Sequence, residues 1–185
     1  APKAGSLSTY STNSKEKETL VDNYSFSGEA LAQADITKHR LIYVSPILKE
    51  DVHISGLASI TIKAASNKPA VNLSVWLVSL PWNTSRNTKI TDNIITRGWA
   101  DLQNYKSLTK SKPLKPGKFY EMTFDLQPDD QIIKKGQQIG LMIFSSDSNY
   151  TLLPEPGTEL TIDLNATSIT IPVVGGKNAF IKATE

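Results

Sequence analysis

The 185 residues contain no cysteine, only two histidines, and no apolar stretch approaching the roughly 20 residues that a membrane-spanning helix needs. The missing cysteine removes disulfides, thiolate metal sites and a cysteine nucleophile together. It also fits a reducing cytoplasm. No signal peptide opens the chain, which starts at Ala1, as a processed product or a piece of something longer would. No Gly-x-Ser-x-Gly elbow occurs to expose a serine nucleophile. His39 flanks Arg40 at a strand entrance and His53 lies in a strand-like run, so both read as solvated or structural side chains. Two histidines fourteen positions apart do not match zinc spacings. No catalytic residue, metal or cofactor is therefore expected within this chain.

Charge of one sign is lacking as well. Twenty Lys and Arg stand against 18 Asp and Glu, a formal net charge of +2, and the basic residues are spread along the sequence without a run. Nucleic acid is not an expected partner, and neither is a membrane.

What the chain does have is period-2 patterning. Ile60, Ile62 and Ala64 alternate with Ser59, Thr61 and Lys63, and Tyr120, Met122, Phe124 and Leu126 alternate with Glu121, Thr123 and Asp125. Val71, Leu73, Val75 and Leu77 alternate with Asn72, Ser74 and Trp76, which puts Trp76 on the side away from the core. Leu41–Val44, Ile94–Trp99, Ile139–Ile143, Leu160–Ile162 and Ile169–Ile171 supply further strands. Pro, Gly, Asn and Asp clusters separate them, and no long segment has a helical period. The reading is an all-β antiparallel sandwich with Ile60, Ile62, Leu73, Val75, Tyr120, Phe124, Leu141 and Ile143 in its core. Residues 1–40 read as a lead-in segment, with a short helix capped by Ser27 through Ala34, and residues 41–185 as the sandwich domain.

The remaining polar motifs read as structure. Pro128-Asp129-Asp130 is a turn opener, Gly136 supplies a turn, Gly140 permits a close approach, and Ser146, Asp147 and Asn149 form a solvated loop. Five Asn-x-Ser/Thr triplets start at Asn23, Asn72, Asn83, Asn149 and Asn165, a chance yield in a chain rich in these residues. Trp82, Trp99 and Tyr105, large amphipathic side chains near loops or strand ends, are the candidates for a docking or ligand surface.

Several motifs in a fixed order carry a family resemblance. They are Leu41-Ile42-Tyr43-Val44-Ser45-Pro46, Ile54-Ser55-Gly56, Arg97-Gly98-Trp99-Ala100-Asp101, Pro113-Leu114-Lys115-Pro116-Gly117-Lys118-Phe119-Tyr120 and Phe124-Asp125-Leu126-Gln127-Pro128-Asp129-Asp130, followed by Lys135-Gly136-Gln137-Gln138-Ile139-Gly140-Leu141. Together they resemble the C-terminal domain of X-prolyl dipeptidyl aminopeptidases of lactic acid bacteria, serine peptidases related to cocaine esterases. The resemblance implies a jelly-roll, galactose-binding-domain-like sandwich docked on a preceding α/β-hydrolase domain of the same polypeptide. That preceding domain holds the family's serine, aspartate and histidine, and no residue here matches them. The resemblance further implies a chain beginning in the linker after the catalytic histidine, and a homodimeric parent enzyme that releases Xaa-Pro dipeptides in the bacterial cytoplasm. The alternative is an autonomous carbohydrate- or surface-binding module, because fold alone does not decide function.

Overall fold

A computed structural model describes residues 4–10, 16–83 and 89–185. In chain order the elements are β1 (Gly5–Ser6), β2 (Lys17–Val21), α1 (Gly28–Gln33), β3 (Arg40–Val44), β4 (Val52–Gly56), β5 (Ser59–Ser66) and β6 (Asn72–Leu80). There follow β7 (Ile94–Asp101), β8 (Phe119–Asp125), β9 (Asp129–Ile133), β10 (Gln138–Phe144), β11 (Glu159–Asp163), β12 (Ser168–Thr170) and α2 (Gly176–Thr184). The first sheet runs β1-β3-β10-β6-β7, antiparallel except where β1 lies parallel to β3. In the second, β5 pairs with β8 along one edge and with β12 and β11 along the other, and β2 extends the sheet beyond β11. A separate ribbon pairs β4 with β9.

The second sheet shows clean alternation. Ile60, Ile62 and Ala64 of β5 face Tyr120 and Met122 of β8 on the buried side. On the other side Thr61 pairs with Thr123 and Thr19 with Thr161, each through hydroxyls 2.8 Å apart. Across the core, the first sheet contributes Leu41, Leu73, Val75, Leu77, Ile139, Leu141 and Ile143. Seven of the eight expected core side chains are buried. Phe124 is half-buried against the same core, one residue from the end of β8 and so at the sheet's margin.

The first sheet departs from the alternating plan. Trp76 is 1% exposed, not on a wet face as the parity argument expects. It joins Ile42, Val78, Leu80, Met142 and Phe144 in a second cluster on the sheet's outer side, covered by Leu31 and Ala32 of α1 and by Ile90. Trp76 and Phe144 meet edge-on, with ring centroids 5.5 Å apart. A Cβ at Gly28 would lie 2.3 Å from the Trp76 ring, so glycine is what lets α1 settle on the indole. Buried Arg40 of β3 fixes the other end of this helix. Its Nε donates to the Leu31 carbonyl and its Nη2 to the Ala34 carbonyl, both at 2.6 Å, satisfying acceptors that a helix terminus leaves open. Burial pulls the Arg40 pKa down, and Asp35 partly offsets this.

The folded unit reaches well upstream of residue 41. β2 is hydrogen-bonded along β11, with Leu20 fully buried opposite Leu160. Ser27 caps α1 by accepting from Ala30 N at 3.2 Å, as its sequence position suggests. The lead-in expected over 1–40 is thus, in its second half, part of the sheet and its cover. Asp129 and Asp130 also belong to a strand, since β4 supplies the partners that a turn would otherwise lack. At the opposite end of the chain, α2 seals the sandwich with Ala183 and Phe180 against the core.

Candidate functional site

Four connections cross between the sheets at one pole of the sandwich: residues 22–39, 67–71, 102–118 and 145–158. This follows from the registers, because β3 and β6 begin where β7 and β10 end, and β8 and β11 begin where β2 and β5 end. The crossings are tied to one another. Asp22 N donates to Thr158 O and Ser146 N to Asp22 Oδ1, both at 2.8 Å. Asn67 Nδ2 reaches Gly157 O at 3.0 Å, Asn72 Nδ2 donates to Leu152 O, and Leu114 N donates to Pro69 O at 2.8 Å.

Asp147 is the centre of this arrangement. Read as part of a solvated loop in the sequence, it is 1% exposed. Its carboxylate accepts from Trp99 Nε1 at 3.2 Å and from Gly28 N, at the start of α1, at 3.4 Å. Its carbonyl accepts from Tyr150 N and Thr151 N, both at 2.8 Å. Burial of a carboxylate is tolerated when donors surround it in this way. Tyr150 then folds back over the sheet. Its ring stacks on Trp99 with centroids 4.9 Å apart, and the Arg97 guanidinium sits 4.3 Å from the ring centre and donates to Tyr150 Oη at 3.0 Å. A cation over aromatic faces and a bond to a phenol both favour one loop conformation.

Gly98 serves the same region from below. A Cβ there would fall 2.8 Å from Leu126 Cδ2 and 3.0 Å from the Asp125 carbonyl, so glycine admits the chain that follows β8. Beside Arg97, between Thr91, Gln127, Asp129 and Tyr150, lies an open cleft of about 230 Å³. That is smaller than the roughly 300–1,000 Å³ typical of small-molecule pockets.

The pole also exposes apolar side chains. Leu152 is 84% and Leu108 is 82% exposed, and Tyr24, Phe26, Ile36, Tyr150 and Leu153 are exposed beside them in the same crossings. The crossing at 102–118 carries Lys106, Lys110, Lys112, Lys115 and Lys118 and no acidic residue. All five are exposed, and among the described residues none makes a salt bridge. Five of the 20 Lys and Arg thus fall on this one acid-free loop.

Of the three surface candidates, Trp99 and Tyr105 lie at this pole and Trp82 lies at the other. Trp99 is half-buried beneath Tyr150. Tyr105 packs on Tyr120 with ring centroids 4.7 Å apart, half-buried against the main core. Trp82 is half-buried against the outer cluster of the first sheet. The residues that sequence reasoning passed over are Arg97, Leu108, Tyr150, Leu152 and Leu153. The available signal was the apolar run Leu152-Leu153, which belongs to no alternating segment, and the acid-free lysine loop.

Among the described residues neither histidine forms a nucleophile-and-base arrangement. The His39 Nδ1 proton goes to the Val21 carbonyl at 2.6 Å, and His53 Nε2 meets Asp130 Oδ1 at 2.6 Å on the exposed side of the β4–β9 ribbon. Asp130 is held below the usual carboxylate range first by His53 and then by the Ser55 hydroxyl. Among the described residues no three His, Asp or Glu side chains gather as metal ligands.

Comparison with known proteins places residues 3–183 in the family described as the X-Pro dipeptidyl-peptidase C-terminal non-catalytic domain. The chain is 64% identical over 176 residues to a protein of Rhodopirellula baltica that carries the name Xaa-Pro dipeptidyl-peptidase, covering 95% of this chain and 28% of that protein. A Bacillus cereus protein of the same name is 40% identical over 136 residues, 74% of this chain and 22% of its own length. The chain therefore spans less than a third of these relatives. Among solved structures, an aminopeptidase from a marine-sediment Thaumarchaeota archaeon superposes with a TM-score of 0.69 at 16% identity, over 89% of this chain and 34% of that one. At that identity the likeness is one of fold.

Proposed function

The chain belongs to the family of X-Pro dipeptidyl-peptidase C-terminal non-catalytic domains, and on that premise we propose that it docks on and stabilises the α/β-hydrolase domain of a serine exopeptidase. That partner would perform the acyl-enzyme chemistry that removes Xaa-Pro dipeptides from peptide amino termini. The same reading has the parent act in the bacterial cytoplasm. The observation that carries the docking role is the loop at 147–153, where exposed Leu152 and Leu153 stand on a backbone immobilised by Asp147, Arg97 and Trp99. Exposed aliphatic side chains on a fixed frame suit a protein partner, since little ordering entropy remains to oppose association. A sugar-binding platform would present free aromatic faces; of the exposed rings here, Tyr150 has Trp99 and Arg97 against its faces and Phe26 leans on His39.

The test is to remove this domain from the two-domain polypeptide and measure melting temperature and turnover of an Ala-Pro chromogenic substrate. Docking predicts a lower melting temperature and lower turnover, and no turnover by the 185-residue chain alone. An enzyme unchanged on the soluble substrate that loses attachment to a polymer or surface would overturn the docking role in favour of a binding module.

A further inference from the structure

We propose that the four-crossing pole is the face that meets the catalytic domain, with the lysine loop at 102–118 and the Leu152–Leu153 ledge as its two contact elements. The inference rests on the docking reading above and adds a surface to it. Its complement on the partner is an acidic patch beside an apolar centre.

Three independent observations select this pole. The first is apolar exposure. Seven large side chains are exposed in the 22–39, 102–118 and 145–158 crossings, including the two most exposed aliphatics of the described residues, Leu152 and Leu108. At the opposite pole Ile47, Leu57, Ile132 and Val174 are exposed, one in β9 and the others in three different connecting segments. Scattered single residues need no partner, whereas a concentration on adjoining loops does.

The second is charge. Five exposed lysines make no salt bridge among the described residues and have no acidic residue in their loop, whereas the lysines of the opposite pole, Lys49, Lys134, Lys135 and Lys182, lie around Glu50 and Asp51, which pair with two of them. An uncompensated single-sign loop favours an oppositely charged face through steering and register.

The third is preorganisation. The crossings are bonded to one another and to buried Asp147, so the surface exists before the partner arrives. The occupant follows from proportion. The Rhodopirellula baltica relative is mostly made of chain outside this domain, which spans 28% of it. An interdomain face of about 600–1,500 Å² is the ordinary requirement for such a neighbour.

The experiment compares hydrogen exchange of the two-domain polypeptide with that of the 185-residue chain. Protection at 102–118 and 145–158 should rise by at least about tenfold in the larger protein. The paired change Leu152→Asp with Leu153→Asp should lower the melting temperature of the two-domain polypeptide by roughly 3–6 °C while leaving that of the 185-residue chain unchanged. Lys110→Glu with Lys112→Glu should do the same more strongly at low salt than at high salt. Protection gained around Ile47 and Ile132 instead would overturn this choice of face and leave docking standing. Protection gained at neither pole would overturn docking itself. A melting temperature that falls equally in the isolated chain would show that the leucines serve the domain's own fold, and would also sink the proposal.

Discussion

The two sheets of this sandwich treat their outer faces in opposite ways. The outer face of the β5–β8 sheet is a field of paired threonines and charged residues open to water. That of the β6–β10 sheet carries Trp76, Met142 and Phe144 and is roofed by α1. A face that water covers needs nothing further from the chain. A face of large apolar groups obliges the sequence to provide a lid, a glycine thin enough to seat it, and groups to hold its ends. Gly28, Arg40 and Asp147 meet those needs, and Asp147 also governs the loop that bears the proposed docking ledge. On the roofed side, stability and the candidate surface are therefore coupled. On the open side they are not.

The sharpest way to break the comparison is Trp76→Ala. Emptying a fully buried indole site should cost about 3–5 kcal/mol, measured by denaturant unfolding of the 185-residue chain. A loss under 1 kcal/mol would mean that the roof is not a packed layer. Next comes Arg40→Met, which keeps the apolar stem but leaves the Leu31 and Ala34 carbonyls without their donor. About 2–4 kcal/mol should be lost, with the earliest amide exchange in residues 28–34. Wild-type protection of α1 in that variant would contradict the role given to the guanidinium.

Tyr43 extends the test to the meeting of the two sheets, where its hydroxyl donates to Glu18 Oε2 of β2 at 2.7 Å. Burial first, and this bond second, push its pKa above the ordinary phenol value. The unfolded chain therefore ionises first. The stabilising contribution is complete below a pH of about 10 and drains away as pH rises beyond it. Tyr43→Phe should flatten the alkaline limb of a stability-versus-pH curve, and an unchanged limb would refute the assignment. Smallest of all, Thr61→Ala with Thr123→Ala on the open face should cost less than about 1 kcal/mol. A larger loss would erase the contrast between the faces.

Alternation made the β5–β8 sheet legible from sequence, because each of its strands has one wet side. The same rule misplaced Trp76. A strand buried on both sides loses the polar half of its pattern, and Val71 through Leu77 reads as alternating only because Asn72 and Ser74 fall in the second set with Trp76. Ser74 Oγ in fact donates to the Ser145 carbonyl at 2.7 Å, inside the protein. β9 escaped notice because only Ile133 of its five residues is buried, leaving no period to detect. The short segment of β2 offered Leu20 alone as a core residue. At the candidate site, the tryptophans drew attention by size, yet their rings are largely spent on internal packing. Leu152 and Leu153 were passed over because a doublet between strands looks like an ordinary loop until the structure shows its backbone hydrogen-bonded and its side chains uncovered.

The pairing of β2 with β11 joins Lys17–Val21 to Glu159–Asp163, and α2 brings Ala183 into the same core. During synthesis, the early strand must wait unpaired until nearly the whole domain has left the ribosome. No half of this sandwich can be completed ahead of the other, so translation and folding are sequential here, and a chain stopped before Glu159 would present the edges of both β2 and β5 to any strand nearby.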